Sequence, residues 1–416
     1  MSAAPFTAKK ALRVMEAKRP EPAADAGWRG DLLKKKNGDP KALDLNVLQA
    51  LLKAPQLKGI LAWDEFRLQV IILRETPWGS KPGPWTDRDG VLLAVWLQRE
   101  GIEVRPDTVG PIVLAVAQER PQHVVRDYFD GLKWDGVPRL DRWLTRYLGV
   151  DDTPYSRAVG PKWMISGVAR IRKPGEKVDT ILVLEGRQGI GKSRALKILA
   201  GEWFADSMPD LHTKDAALQL AGALIIEFAE LDSLYRSEAG TIKAFLSRST
   251  DRYRPPYGKN AIDAPRQVIF AGSVNESEYL KDASGGRRFW PVKCGEVFDL
   301  PGLQADRDQL WAEAVAQVNA GASWWLDDAE LVAAAAEEQA DRFESDPWED
   351  SIRIFLKGEA TTTLAKVFDG CLNKPIGSWN RSDSTRLARC LQALGWERYR
   401  FRDASAKPKW GYRERQ

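Results

Sequence analysis

Short apolar runs alternate with segments of helical spacing in the middle of the sequence. Residues 181–184, 223–230 and 267–275 each contain an apolar run typical of a strand that is buried on both faces. Segments with helical spacing separate the three runs, and this alternation is typical of a parallel sheet covered by helices. The pattern therefore predicts an α/β core.

The flanking regions show other patterns. Residues 1–41 are rich in Ala, Pro, Lys and Glu and have little periodicity, which predicts a disordered segment or linker. Residues 42–150 combine helical spacing with one alternating run at 66–73, which predicts a small α+β domain. The core would occupy residues 151–345 with a helical extension. Residues 346–416 predict three short helices and a basic hairpin, which suggests a winged-helix-like domain; a structural cap without a ligand is the alternative.

Composition narrows the class of protein. The net charge is a modest +4. No apolar run approaches the roughly 18 residues that a membrane-spanning helix needs. Three widely spaced cysteines and two histidines argue against a disulfide framework or a zinc site, and we expect a cytoplasmic protein with no membrane partner. The last 36 residues hold ten Lys and Arg against four Asp and Glu. This surplus suggests a polyanionic partner, with a solvated basic face as the alternative.

The clearest motif follows the first apolar run. Residues 186–193 match G-x-x-x-x-G-K-[ST], and residues 194–200 have helical spacing. Such a loop turns its N–H groups toward a phosphate, and the following helix adds partial positive charge. Lys192 would reach the β- and γ-phosphates, and Ser193 would supply a hydroxyl to Mg²⁺. The residues predicted to contact the nucleotide are Gly186, Arg187, Gln188, Gly189, Ile190, Gly191, Lys192 and Ser193.

Two carboxylates follow the second apolar run. A P-loop ATPase needs an acid beside Mg²⁺ and a group that polarises the attacking water. We assign Glu227 to the Mg²⁺ ligands and Glu230 to the water, although the spacing also allows the reverse assignment. Solvated acids at a strand end are the alternative.

Polar groups after the third run complete the predicted catalytic set. Asn275 would hold the γ-phosphate or the water, or would simply be a turn residue. Arg287 and Arg288 follow a pair of glycines and suit an arginine finger, which stabilises charge in the transition state, or a surface ion pair.

A basic segment lies between the acidic strand and the Asn275 strand. Residues 248–259 contain four cations, two tyrosines and two prolines. Cations suit a phosphodiester backbone and aromatic rings stack on bases. The residues predicted to bind nucleic acid are Arg252, Tyr253, Arg254, Tyr257 and Lys259. An ordinary basic loop is the alternative.

The ordered series of motifs resembles one known family. The segments are 186–193, 227–232, 251–258, 274–276 with 279–280, and 286–292. Together, over roughly residues 125–300, they resemble the virulence-associated protein E family of phages and genomic islands. That family is similar to AAA+ ATPases related to superfamily-three helicases. The resemblance implies a P-loop NTPase fold of the AAA+ type and hydrolysis of ATP with Mg²⁺.

The resemblance also implies partners. It suggests a homo-oligomeric ring, such as a hexamer, in which Arg287 or Arg288 reaches the nucleotide of a neighbouring subunit. It suggests that residues 248–259 project toward single-stranded or forked DNA, and that a primase is a partner in replication. Residues 1–150 lack the acid cluster and zinc motif of a primase, so we expect no priming activity.

The leading hypothesis is thus an ATP-dependent DNA helicase or translocase of a phage or mobile element. One alternative is an ATP-switched initiator or loader that binds DNA without unwinding it. A small-molecule kinase is a third hypothesis, because P-loops also occur in kinases.

Overall fold

The computed structural model describes residues 27–206, 216–254, 261–275, 280, 286–342, 346–375, 377–402 and 408–414. Within these ranges, no helix combines the length and the apolar character needed to cross a bilayer. The described α-helices are α1 (Gly27–Gly30), α2 (Asp44–Lys53), α3 (Asp87–Arg99), α4 (Pro106–Gln118), α5 (Val124–Gly131), α6 (Trp143–Leu148), α7 (Pro154–Arg172), α8 (Lys192–Ala200), α9 (Ala216–Leu220), α10 (Leu231–Leu246), α11 (Leu300–Asn319), α12 (Ala329–Ala340), α13 (Pro347–Phe355), α14 (Leu364–Gly370) and α15 (Arg381–Ala393).

Within the described ranges, the strands belong to four separate sheets. The described strands are β1 (Leu61–Asp64), β2 (Gln69–Ile72), β3 (Gly83–Pro84), β4 (Pro121–Gln122), β5 (Ile181–Glu185), β6 (Phe204–Ala205), β7 (Ile225–Phe228), β8 (Thr250–Tyr253), β9 (Ile262–Pro265), β10 (Ile269–Val274), β11 (Phe289–Lys293), β12 (Thr361–Thr362), β13 (Trp396–Arg402) and β14 (Pro408–Glu414).

A parallel five-stranded sheet forms the centre of the chain. Its strand order is β11-β5-β10-β7-β6, and every neighbouring pair is parallel. Side chains of β5 alternate between two cores: Leu182 and Leu184 pack with α7, α8 and α11, whereas Ile181 and Val183 pack with α10. Because both faces are covered, the three central strands are mainly apolar, as the sequence pattern indicated. The predicted α/β parallel sheet is confirmed.

The N-terminal region has its own sheet, ordered β3-β2-β1-β4, with an apolar core shared by α2, α3 and α4. The prediction of one strand over 66–73 was partly wrong. Asp64 accepts hydrogen bonds from the backbone N–H groups of Phe66 (2.9 Å) and Arg67 (3.0 Å), and Leu68 has a φ of +53°. These contacts form a turn, so β2 begins only at Gln69.

The C-terminal region contains α13, α14 and α15 and the small sheet β12-β14-β13. Ile352, Phe368 and Leu387, one from each helix, share an apolar core with Trp396 and Tyr412 of the hairpin. The three helices and the hairpin thus occur where the sequence pattern placed them. The predicted domain boundaries and the winged-helix assignment stay predictions.

Candidate functional site

The loop of residues 186–191 joins the buried strand β5 to helix α8. Gly186 and Gly191 have φ values of +152° and +107°, which L side chains rarely adopt. A Cβ at Gly186 would lie 2.8 Å from Ile190 Cδ1, and one at Gly191 would lie 3.2 Å from a Leu300 methyl group. Residues 187–189 are exposed. Glycine is thus required by both conformation and space, and the loop keeps its backbone accessible to a phosphate.

Lys192 is the first residue of α8, and its side chain folds back onto the loop. Nζ donates hydrogen bonds to the carbonyl oxygens of Gly186 (2.5 Å) and Arg187 (3.0 Å) and to Oδ1 of Asn275 (3.2 Å). Burial is the main cause that lowers the Lys192 pKa. The ammonium therefore lies inside the curve of the loop, next to the side-chain amide of Asn275.

Ser193, on helix α8, contacts Glu227, on strand β7. The Ser193 hydroxyl donates a hydrogen bond of 2.8 Å to Oε1 of Glu227. Ser193 is exposed, whereas Glu227, in β7, is 1% exposed. A hydroxyl and a carboxylate are hard oxygen ligands, and Mg²⁺ takes few protein ligands and keeps waters or phosphate oxygens at the others. The donor set therefore fits Mg²⁺.

Glu230 and Asn275 lie near the same edge of the sheet. Glu230 comes two residues after the end of β7, is exposed, and has a φ of +51° at the start of α10. Asn275 directly follows β10, which lies between β5 and β7. Because the three strands are parallel, their carboxyl ends lie at one edge. The strand order therefore brings the predicted catalytic groups of residues 192–275 to that edge.

Arg287 and Arg288 lie at the opposite edge. They immediately precede Phe289, the first residue of β11, which pairs with Ile181 at the amino end of β5. The loop instead follows Glu185, at the carboxyl end of β5. Five strand residues span about 16 Å. Arg287 donates a hydrogen bond of 3.1 Å to Asp179 and is 72% exposed, whereas Arg288 bonds Ser247 Oγ (3.0 Å) and is 19% exposed.

The basic segment contains β8, which pairs with β9 to form an antiparallel two-stranded ribbon. Arg252 is 76% exposed and lies 3.8 Å from Asp263 on the paired strand, and Arg254 is also exposed. Tyr253 is 6% exposed, and burial raises its pKa. Since strand residues alternate in direction, its ring packs inward, and the expectation that it stacks on bases is not supported. Tyr257 and Lys259 lie outside the described residues.

A buried ion pair fixes the base of this ribbon. Two guanidinium nitrogens of Arg266 donate to the carboxylate of Asp251, at 2.5 and 2.8 Å, and a third donates to the Phe245 carbonyl oxygen. The Arg266 guanidinium also lies 4.3 Å from the centre of the Phe245 ring. Both charged side chains are buried. The ribbon is thus held firmly against the rest of the core.

Several residues around the site carry no clear signal in the sequence. Asp179 anchors the arginine pair, and Glu185, next to the loop, accepts a hydrogen bond of 2.9 Å from Arg342 after α12. The partners are more than 100 residues apart, so no local pattern indicates them. The one available signal was a carboxylate ending a wholly apolar strand, since a buried acid requires a partner. Within the described ranges, no group of three or more His, Cys, Asp or Glu side chains could hold a metal ion by itself.

Comparison with protein families gives one match. Residues 129–344 match the model of the virulence-associated protein E-like domain, which is more than half of the chain. The match includes every residue of the two sheet edges described above. No match was found among curated proteins.

Two similarities to solved structures are weaker. The C-terminal region of NrS-1, in an apo structure, is 13% identical, with 92% of this chain and 100% of that chain covered and a TM-score of 0.49. The ORC2 protein of Aeropyrum pernix, in its ADP form, is 12% identical, with 70% and 93% covered and a TM-score of 0.24. TM-scores below 0.5 support no conclusion about function.

Proposed function

The chain belongs to the virulence-associated protein E-like family, and on that premise we propose that it is a Mg²⁺-dependent ATPase that acts on DNA. Its role would be that of a helicase or translocase in the replication of a phage or mobile element. One observation carries the proposal: the Ser193–Glu227 hydrogen bond joins α8, the helix after the loop, to strand β7, beside the Lys192–Asn275 contact. A nucleoside triphosphate and its metal require this combination of groups.

The loop and the start of α8 would hold the phosphates. Backbone N–H groups of residues 186–193 and the positive end of the helix favour an anion there, and Lys192 adds a full charge. Ser193 and Glu227 would hold Mg²⁺, which, when bound, neutralises charge on the phosphate oxygens. The Lys192 ammonium would exchange its carbonyl contacts for phosphate oxygens.

Glu230 and Asn275 would orient the attacking water. Glu227 is buried and engaged by Ser193, so it suits the metal. Glu230 is exposed at the same edge and is therefore the better candidate to accept a proton from water. The Asn275 amide, in contact with Lys192, would hold the γ-phosphate or that water.

Arg287 would act on the nucleotide of a neighbouring subunit. It lies at the edge of the sheet opposite its own loop, and its side chain is largely exposed. Arg288 is mostly buried and bonded to Ser247, so we assign it a positioning role. If every subunit supplies Arg287 to the nucleotide of its neighbour, the subunits form a closed ring. We therefore propose a homo-oligomeric ring, such as a hexamer.

The β8–β9 ribbon would contact DNA. Arg252 and Arg254 are exposed on it, and the Asp251–Arg266 pair holds its base in place. Tyr257 and Lys259 remain proposed contacts from sequence, whereas Tyr253 would stabilise the ribbon from inside. Movement of the core together with this ribbon, driven by ATP hydrolysis, would move a single DNA strand or open a fork. A primase would be the natural partner in replication.

A strand-displacement assay on forked DNA tests the proposed function. We expect the wild type to displace the strand only with ATP and Mg²⁺, and we expect Lys192→Ala to abolish displacement. Lys197→Ala is the matched control, because Lys197 lies on the same helix and is exposed. Equal displacement by wild type and Lys192→Ala, or none by wild type, would overturn the motor role. A footprint at one sequence without unwinding would favour an initiator or loader.

A further inference from the structure

The C-terminal region carries a second basic surface, more than 100 residues away in sequence from the β8–β9 ribbon. Helix α15 presents one polar face, opposite the apolar face formed by Leu387, Cys390 and Leu391. This polar face consists of five exposed residues: Arg381, Ser382, Thr385, Arg389 and Gln392. Among the described residues, neither arginine of this face has an acidic partner.

The other charged side chains of α15 are already engaged. Asp383 forms a capping box with Asn380 and accepts a hydrogen bond from Lys374 (3.0 Å), which is the largest cause of its lowered pKa. Arg386 binds both oxygens of Asp346 (2.7 and 2.8 Å) and stacks on Trp348. These contacts fix the helix to its neighbours. The exposed face is therefore net positive and held on a rigid support.

The hairpin after the helix continues the basic surface. Arg398 and Arg400 are exposed on β13, and the exposed Trp410 faces Arg400 across the ladder. The guanidinium carbon of Arg398 lies 4.1 Å from the Trp410 ring centre, and that of Arg400 lies 5.9 Å from it. The flat ring thus holds both guanidinium groups in place. No acidic side chain in the described part of the chain pairs with either arginine.

The connectivity of the C-terminal region places helix α15 next to the β13–β14 hairpin. The elements follow the order helix, strand, helix, helix, strand, strand, and the short strand β12 pairs with β14 rather than with β13. Only two residues separate α15 from β13. From this arrangement we propose that helices α13–α15 and strands β12–β14 form a winged helix that binds duplex DNA through the exposed face of α15 and the Arg398–Arg400–Trp410 surface of the hairpin.

Duplex DNA fits this surface better than other polyanions. The thirteen-residue helix is about 20 Å long, and an α-helix fits the B-DNA major groove. Arg and Gln side chains form paired hydrogen bonds with guanine and adenine, and the Thr methyl group contacts thymine. The A-form RNA major groove is too narrow for a helix. Single-strand binding relies on open aromatic rings, whereas Arg398 stacks on the ring of Trp410.

Fluorescence anisotropy with the full chain tests the proposal. The probes are a labelled random-sequence duplex of about three helical turns and its single strand, without ATP, at salt concentrations from about 50 to 200 mM. The Arg252→Ala background reduces the contribution of the β8–β9 ribbon. We expect tighter binding of duplex than of single strand, and about tenfold weaker duplex binding for Arg398→Ala/Arg400→Ala and for Arg381→Ala/Arg389→Ala. The hairpin variant should also lower the salt slope by about one per lost phosphate contact.

Arg413→Ala is the matched control. Arg413 is exposed on the same hairpin, but it pairs with Glu397 at 2.6 Å and lies on the other face. We expect it to bind duplex like the wild type, and thermal melting should show all variants folded. Lys192→Ala should bind duplex with the affinity of the wild type, because the measurement is made without ATP. The duplex-binding proposal is therefore tested independently of the ATPase proposal. Equal affinity for duplex and single strand, or unchanged duplex binding in both double variants, would overturn the proposal.

Discussion

The Ser193 hydroxyl donates a hydrogen bond of 2.8 Å to the buried carboxylate of Glu227. The two residues are 34 positions apart: Ser193 lies on α8, which follows β5 and the loop, and β10 lies between β5 and β7 in the sheet. The pair therefore links α8 to β7, the strand on the far side of β10 from β5. We propose that this contact marks a metal-binding P-loop rather than a glycine-rich turn.

Removing either member of this pair should impair metal use. We expect Ser193→Ala and Glu227→Gln to lower ATP turnover by at least about 100-fold at fixed Mg²⁺, because a bound metal contributes several kcal/mol of charge stabilisation. Titration of turnover against Mg²⁺ measures the effect, and the half-saturating concentration should rise. Binding of a fluorescent ATP analogue through the loop and Lys192 should persist. A wild-type Mg²⁺ curve for both variants would contradict the metal assignment.

The location of Arg287 predicts complementation between subunits. Arg287→Ala alone should reduce turnover by roughly a thousandfold or more, the range known for arginine fingers. Mixing it with the inactive Lys192→Ala chain creates interfaces that combine an intact loop with an intact finger, so activity should partly return. Turnover of the mixture against each variant alone is the measurement. A mixture as inactive as its components would exclude a finger acting between subunits.

The buried Asp251–Arg266 pair predicts a stability effect. Asp251→Ala leaves the guanidinium of Arg266 buried without its partner, which costs roughly 3–5 kcal/mol of unfolding free energy. Urea unfolding, followed by tryptophan fluorescence, measures the loss. Asp263→Ala, on the paired strand but exposed, is the control and should change stability little. Equal stability of the two variants would show that the pair does not hold the ribbon.

Cys294 lies beside the loop and should be chemically inert. Burial raises the pKa of its thiol to about 12, and a Cβ at Gly186 would lie 3.7 Å from the Cβ of Cys294. At about pH 8 iodoacetamide should therefore spare Cys294 in the folded protein and modify the more exposed Cys371 faster. Peptide mass spectrometry measures both rates, and urea should make them similar. Rapid alkylation of Cys294 in the folded protein would argue against its buried position.

Much of the core could be predicted because its signals are local. The apolar runs of β5, β7 and β10 and the glycine pattern of the loop each lie within a few consecutive residues. Fully buried strands leave continuous apolar runs, and a phosphate loop demands glycine at fixed spacing. The catalytic candidates were found because they directly follow those runs.

The remainder depends on long-range pairing. The sequence does not specify that β10 lies between β5 and β7, yet this order brings Asn275 to Lys192. Burial of Tyr253 follows from the direction of the β8–β9 ribbon, which composition does not reveal. The Glu185–Arg342 bond joins residues 157 positions apart. Sequence patterns therefore indicate candidate groups for the site, and the fold determines which of them lie close together.

The most direct test of the central claim is Mg²⁺-dependent ATP hydrolysis by the purified full chain, with and without DNA. We expect wild-type turnover that requires Mg²⁺ and rises with DNA, near-complete loss in Lys192→Ala, and wild-type turnover in Lys197→Ala. Turnover that survives Lys192→Ala, or a wild-type chain without turnover at any Mg²⁺ concentration, would contradict the assignment of this site.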